Sequence, residues 1–197
     1  GIYQGMNKGL RHAHGEYVNF MNGGDCFHSP NVLETVFLNS TEADIITGEH
    51  EGSTHPCIGQ SGISMLDLFT GAVDHQASFI RREIALRHPY DEKYRIVSDW
   101  KFFIEALVID NCSFKFIPTI IVDVDMNGIS NNNIKLDKQE RDAVLKELFP
   151  ERILTDYKLF ASIHPDILRI APRITKSQKI REIITSIAAT LLRIKGV

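Results

Sequence analysis

The feature that most constrains this chain is a hydrophobic period that keeps changing along its first two-thirds. From Ile2 to Ala13, Met6, Leu10 and Ala13 fall on one side and Lys8 and Arg11 on the other, which predicts a helix stopped by Gly15. Glu16 to Met21 is then a β-branched and aromatic run of strand length, closed by the turn residues Asn22, Gly23, Gly24 and Asp25. Ser29, Pro30 and Asn31 open a second helix carrying Val32, Val36 and Phe37. Asp44 to Thr47 reads as a short strand closed by Gly48, and Glu49 to Gly62 as a loop without period.

The alternation continues with a short helix over Met65 to Phe69 and a strand over Gln76 to Arg81. A helix over Asp99 to Ile109 follows, with Trp100, Phe103, Ile104, Leu107 and Val108 at helical spacing and Ser98 as its expected cap. Phe114 to Val122 reads as a strand and Asp125 to Asn133 as a long polar loop. Beyond it only helices are expected, over Leu136 to Phe149, Arg152 to Ile163 and Gln178 to Ile194. Strands alternating with helices imply an α/β layer architecture with a C-terminal helical extension.

Its 197 residues suffice for one domain with an appendage, and the expected division is 1–133 and 134–197. A hydrophobic fraction of 43% with 24% charged residues excludes the disordered and fibrous classes. The formal charge of −3 excludes a generally basic nucleic-acid binder. Charge is uneven, however: from Ile167 to Val197 seven basic residues face one acid, Glu182. No apolar run is long enough for a membrane-spanning helix. Three widely spaced cysteines, Cys26, Cys57 and Cys112, fit reduced thiols, so the expected setting is cytoplasmic.

Two carboxylates stand where chemistry is commonly done. Asp25 ends a buried-type strand, at the sheet edge where α/β proteins bind ligands, and the glycines before it let backbone approach a bound group. One carboxylate with phosphate oxygens and water is a normal way to hold Mg²⁺ or Mn²⁺; a turn with a capping Asp is the simpler alternative. Asp99 starts an apolar helix, where the dipole stabilises its charge. It reads either as that alone or as a general base toward a hydroxyl. His75 and Gln76 precede a strand that ends in Arg81. They read as a polar lining with an arginine clamp for a diphosphate, or as an ordinary hydrogen-bonded strand entry. His50, His55 and Cys57 match no usual zinc spacing, and P-loop, dinucleotide, nucleophile-elbow and zincin motifs are lacking.

Taken in order, these pieces resemble the family 2 glycosyltransferases. Gly1-Ile-Tyr-Gln-Gly-Met-Asn-Lys-Gly9 is similar to that family's G-I-Y-D-A-M-N-K-G segment, and Tyr17-Val-Asn-Phe-Met-Asn-Gly-Gly-Asp25 to its strand ending in a variant D-x-D element. His75-Gln76 resembles its H-Q pair, Tyr90 to Trp100 its F-D-E-x-Y-x-I-x-x-D-Y/W stretch, and Gly128-Ile-Ser130 its G-G-I-S loop.

The resemblance implies a partial GT-A-type, Rossmann-like sheet flanked by helices and a nucleotide-sugar donor. It also implies a divalent metal, Mg²⁺ or Mn²⁺, and transfer with inversion to a saccharide or lipid-linked acceptor, as in polysaccharide or glycolipid synthesis. It makes Asp25 the metal ligand and Asp99 the base. Asn22, His75, Gln76, Arg81, Gly128 and Ser130 become donor- or acceptor-binding residues. Measured against the family pattern, the first, nucleotide-binding strands are expected upstream of Gly1. A metal-dependent nucleotidyl or phosphoryl transferase is the rival enzyme class, and a catalytically silent docking module the rival outside enzymes. In residues 178–195, Ile180, Ile183, Ile184, Ile187, Ala188, Leu191 and Leu192 form one apolar stripe flanked by Lys176, Lys179, Arg181, Arg193 and Lys195. That pattern predicts a helix lying on the inner membrane face, or else packing on the catalytic body or pairing in a homodimer.

Overall fold

The computed structural model describes residues 1–39, 42–52, 62–124, 133–163 and 178–195. Eight α-helices are seen among them: α1 (Ile2–His12), α2 (Val32–Asn39), α3 (Met65–Thr70), α4 (Arg82–Arg87), α5 (Ser98–Ile104), α6 (Ile134–Leu148), α7 (Glu151–Ser162) and α8 (Gln178–Lys195). The strands are β1 (Tyr17–Val18), β2 (Cys26–Phe27), β3 (Ile45–His50), β4 (Ser78–Arg81) and β5 (Phe114–Asp123). They form one sheet in the order β1-β4-β3-β5-β2. Neighbours run antiparallel except β3 and β5, which are parallel. The expected α/β class is therefore observed, as a mixed sheet. The chain divides into two compact units, Gly1–Leu154 and Thr155–Val197.

In the first unit, Val32 and Val36 of α2 pack with Ile46, Ala77, Phe79 and Ile121 on one face of the sheet. Ile45 and Ile80, paired across β3 and β4, point to the other face by the two-residue alternation of strands and are also fully buried. Both faces of the sheet are thus covered, as a crossover between parallel strands requires.

Several local expectations change with tertiary context. The strand expected from Glu16 pairs only through Tyr17 and Val18; beyond it, the Asn19 side-chain amide takes over and donates to the carbonyls of Gln76 and Ser78 at 2.7 and 2.9 Å. On α1 the buried positions are Tyr3, Asn7 and Leu10, with Met6 and Ala13 only half-buried. Ser98 does not cap α5: it is the first helical residue, and its buried hydroxyl has no hydrogen-bond partner among the described residues. The helix that follows is α-helical to Ile104 and π-helical over Glu105–Ile109.

Gly48 does not end its strand. β3 runs through it to His50, and a Cβ there would come within 2.6 Å of the Thr119 carbonyl and the Ile121 side chain. The cause lies across the ladder. Pro118 has no N–H to donate, and the β3–β5 register slips between Thr47 and Glu49, so β5 closes onto the glycine. The loop over Asp125 to Asn133, including Gly128 and Ser130, lies outside the described residues except at Asn133, as do His55 and Cys57.

In the second unit, α8 forms as expected, and Ile180, Ile183, Ile184 and Ile187 on it are exposed. The side chains of Leu191, Leu192, Arg193 and Lys195 lie outside the described residues, as does Lys176. No helix among the described residues is long and apolar enough to cross a membrane.

Candidate active site

Asp99 sits in the first turn of α5, and the residue behind it anchors that turn. Trp100 is buried, its indole N–H donates to the Leu68 and Gly71 carbonyls at 2.8 and 3.1 Å, and the Arg141 guanidinium covers its ring. The segment leading into Asp99 is held from two sides. From α1, Asn7 donates to the Tyr90 carbonyl and accepts from the Tyr90 N–H at 2.7 and 2.9 Å. From α6, the Glu140 carboxylate accepts the backbone N–H groups of Arg95, Ile96 and Val97 at 2.9, 2.9 and 3.3 Å. A buried carboxylate is tolerated here because it satisfies amides that have no strand or helix partner.

Two side chains from distant segments meet Asp99. The Tyr3 hydroxyl donates to Oδ1 at 2.8 Å, and His75 Nδ1 lies 2.8 Å from Oδ2. The Asp99 side chain is 19% exposed and that of His75 11%. Burial alone would raise the Asp99 carboxyl. The His75 hydrogen bond and charge, the Tyr3 hydroxyl and the Trp100 amide outweigh it and hold the group below its ordinary value. Burial first, and then the Asp99 charge, push the Tyr3 phenol far above its ordinary value, so it stays protonated. Tyr90 is pushed the same way.

The network continues toward the glycine turn. His75 Nε2 lies 3.4 Å from Asn22 Nδ2, and the Asn22 backbone N–H donates to Asp25 Oδ2 at 3.2 Å. The two ring nitrogens of His75 thus face two different partners, Nδ1 the Asp99 carboxylate and Nε2 the Asn22 side-chain amide. The turn is tightened by the Asp25 N–H on the Asn22 carbonyl, and Gly24 takes a positive φ of 102°. Asn22, His75 and Asp99 are thus brought together, with Asp25 joined through the turn.

The other expected residues are placed elsewhere or contribute differently. The Gln76 carbonyl accepts from Asn19. Arg81 stands at the far end of β4, six residues after His75 and beyond the turn in which the Ser78 N–H donates to the His75 carbonyl. There it bonds Glu16 at 2.7 Å and the Tyr17 hydroxyl at 3.0 Å, with Asp44 at 3.5 Å. Tyr3, Asn7 and Glu140 were not singled out by sequence reasoning. Tyr3 and Asn7 share α1's buried face, and a polar residue at a core-facing helix position is the signal that marks them.

For a divalent ion, the glycine turn offers one carboxylate, Asp25, with open space beside Gly23. Those donors fit Mg²⁺ or Mn²⁺ when a diphosphate and water supply the remaining oxygens. One further group of metal-type ligands converges among the described residues: His28, Glu51 and Asp123 bring one ligand atom each within 4.8 Å of one another. His28 Nδ1 and Asp123 Oδ1 there already pair at 2.6 Å.

No family model matches the chain. It is similar to the PGL/p-HBAD biosynthesis glycosyltransferase of Mycobacterium bovis (strain BCG / Pasteur 1173P2), at 26% identity over 145 residues, which covers 71% of this chain and 56% of the relative. A Mycobacterium tuberculosis protein (strain CDC 1551 / Oshkosh), named as an uncharacterized glycosyltransferase, is 24% identical over 147 residues, covering 67% and 53%. The chain spans about half the length of the curated relatives it matches. A crystal structure of S. aureus TarS 1-349 has a TM-score of 0.49 at 16% identity, over 63% of this chain and 40% of that one. The sequence matches support a place for this chain among relatives of the glycosyltransferases.

Proposed function

We propose that this chain is part of an inverting glycosyltransferase of GT-A type that moves a sugar from a nucleotide-sugar donor to an acceptor hydroxyl. The observation that carries the reading is the meeting of Asp99, His75 and Asn22, from three separate segments, beside the Asp25 turn. The matches to glycosyltransferases supply the reaction class, and the resemblance to family 2 glycosyltransferases adds a saccharide or lipid-linked acceptor, as in polysaccharide or glycolipid synthesis.

In this reading Asp99 receives the proton of the acceptor hydroxyl as that oxygen bonds the anomeric carbon. The bond from that carbon to the donor phosphate breaks, and its electron pair leaves with the nucleoside diphosphate. Attack opposite the leaving group inverts the centre, by the geometry that also governs inverting glycoside hydrolysis. A divalent ion on Asp25 would neutralise charge growing on the leaving diphosphate. The exposed isoleucine stripe of α8, with Lys179 and Arg181 on the same helix, suits an anionic membrane surface that would bring a lipid-linked acceptor near.

The test is sugar transfer from a panel of nucleotide-sugars by the wild type and Asp99→Asn. Loss of general-base help costs about 10²- to 10⁴-fold, with donor binding kept. An Asp99→Asn variant at the native rate removes the assignment. Asp25→Ala is expected to weaken metal-dependent nucleoside diphosphate binding in calorimetry, and unchanged affinity makes Asp25 a turn residue only.

A further inference from the structure

Asp99 Oδ2 faces His75, which leaves the orientation of its carboxylate plane to whatever holds Oδ1. That partner is Tyr3, 96 residues away on α1. The same hydroxyl also contacts the Ile96 carbonyl, three residues before Asp99, and the Tyr3 ring packs on Tyr90 at 5.3 Å between centroids. Asn7, one turn further along α1, clamps the Tyr90 backbone. One face of α1 therefore grips both ends of the segment that delivers Asp99.

Resting on the transfer reading above, we propose that Tyr3 is a positioning residue for that reaction. Set between the Ile96 carbonyl and Asp99 Oδ1, its hydroxyl fixes the plane of the carboxylate that receives the acceptor's proton.

A phenol has one hydrogen and two lone pairs, so it adapts to both states of Asp99. Toward ionised Asp99 it donates. Once Asp99 has gained a proton on a lone pair that faces the acceptor, Oδ1 accepts more weakly, and the hydroxyl can turn its hydrogen to the Ile96 carbonyl. The donation to a charged oxygen is the stronger bond, so the hydroxyl's net effect is to favour ionised Asp99. The other groups facing Asp99 are the His75 imidazole, the Trp100 amide and the Tyr90 phenol. With both oxygens tied, the carboxylate cannot rotate, and an incoming hydroxyl meets a lone pair of fixed direction. Misplacing a reacting group by an ångström costs up to about 100-fold in rate.

Tyr3→Phe tests this, since the ring packing stays and only the hydroxyl goes. The first readout needs no activity: the Asp99 side-chain carboxyl is titrated by ¹³C NMR in wild type and variant. Its midpoint is expected to move up in Tyr3→Phe and down when Tyr3 is replaced by 3-fluorotyrosine, a stronger donor. The second readout is transfer. The kcat of Tyr3→Phe is expected to fall by about 10- to 100-fold with donor KM unchanged. The acid limb of its pH profile is expected to move up with the carboxyl, whereas a purely structural role leaves that limb in place. An unmoved carboxyl midpoint in both variants overturns the proposal. So does a moved midpoint with wild-type kcat and pH profile. A moved midpoint with no transfer by wild type from any nucleotide-sugar overturns the transfer reading and upholds the coupling of Tyr3 to Asp99.

Discussion

Removing the Glu140 carboxylate should loosen the segment that presents Asp99, although Glu140 lies on a helix some forty residues later in the chain. Its two oxygens accept three consecutive backbone N–H groups, and the residue is 8% exposed. In Glu140→Ala the Arg95 amide, on an exposed residue, can turn to water. Those of Ile96 and Val97, on buried residues, cannot. Each buried donor left unpaired costs about 1–3 kcal/mol. The Val97 contact is long at 3.3 Å, so its loss counts toward the low end. The expected cost is about 2–4 kcal/mol. In a chain of this size each kcal/mol moves Tm by about 2–4 °C, so about 3 kcal/mol lowers it by roughly 6–12 °C. Glu140→Gln keeps one oxygen, which can serve Ile96 and Val97, and should lose about 1–2 kcal/mol. Thermal melts and urea titrations measure the loss, and amide hydrogen exchange locates it, with Ile96 and Val97 expected to lose protection before α1 does. A Glu140→Ala variant melting within about 1 °C of the parent, with those amides still protected, refutes the reasoning.

Gly48→Ala should lower stability by about 1–3 kcal/mol through overpacking, against the gain that alanine usually brings in a strand; a higher melting temperature contradicts the close approach of β5. Hydrogen bonds from Lys101 and then Lys93 hold the Glu147 carboxyl down to about 2, against an ordinary value of 4.5. A depressed carboxyl adds stability above its unfolded value and loses it as pH falls through the folded one. Stability should therefore drop between about pH 4.5 and 2, and Lys101→Met should flatten that drop in chemical denaturation; an unchanged slope refutes it. Anionic vesicles should co-sediment the chain at low salt, and high salt or deletion after Ser177 should release it. No binding at low salt, or self-association without vesicle binding, removes the membrane reading of α8.

Local pattern was enough to determine the order of the longer helices and strands, because periodicity and turn residues act within a few positions of one another; it missed β2 and α4, two short elements whose place depends on the sheet they join. It also marked Asp25 and Asp99, since a carboxylate after a strand or at a helix start is a local feature. It could not show that Asp99 Oδ1 belongs to Tyr3, that Glu140 closes the loop before α5, or that Arg81 is held by Glu16 and Asp44. Gly48 shows the same limit: a glycine after an apolar run reads as a stop, whereas β5, slipping at Pro118, uses it as the one residue thin enough to pack against. Ser98 looked like a cap because serine caps helices, yet the chain turns one residue earlier, at Val97. Each of these depends on partners dozens of residues away, whose approach is set by burial of the sheet's two faces. Sequence by itself determined which groups were available, and only the tertiary structure decided which of them meet.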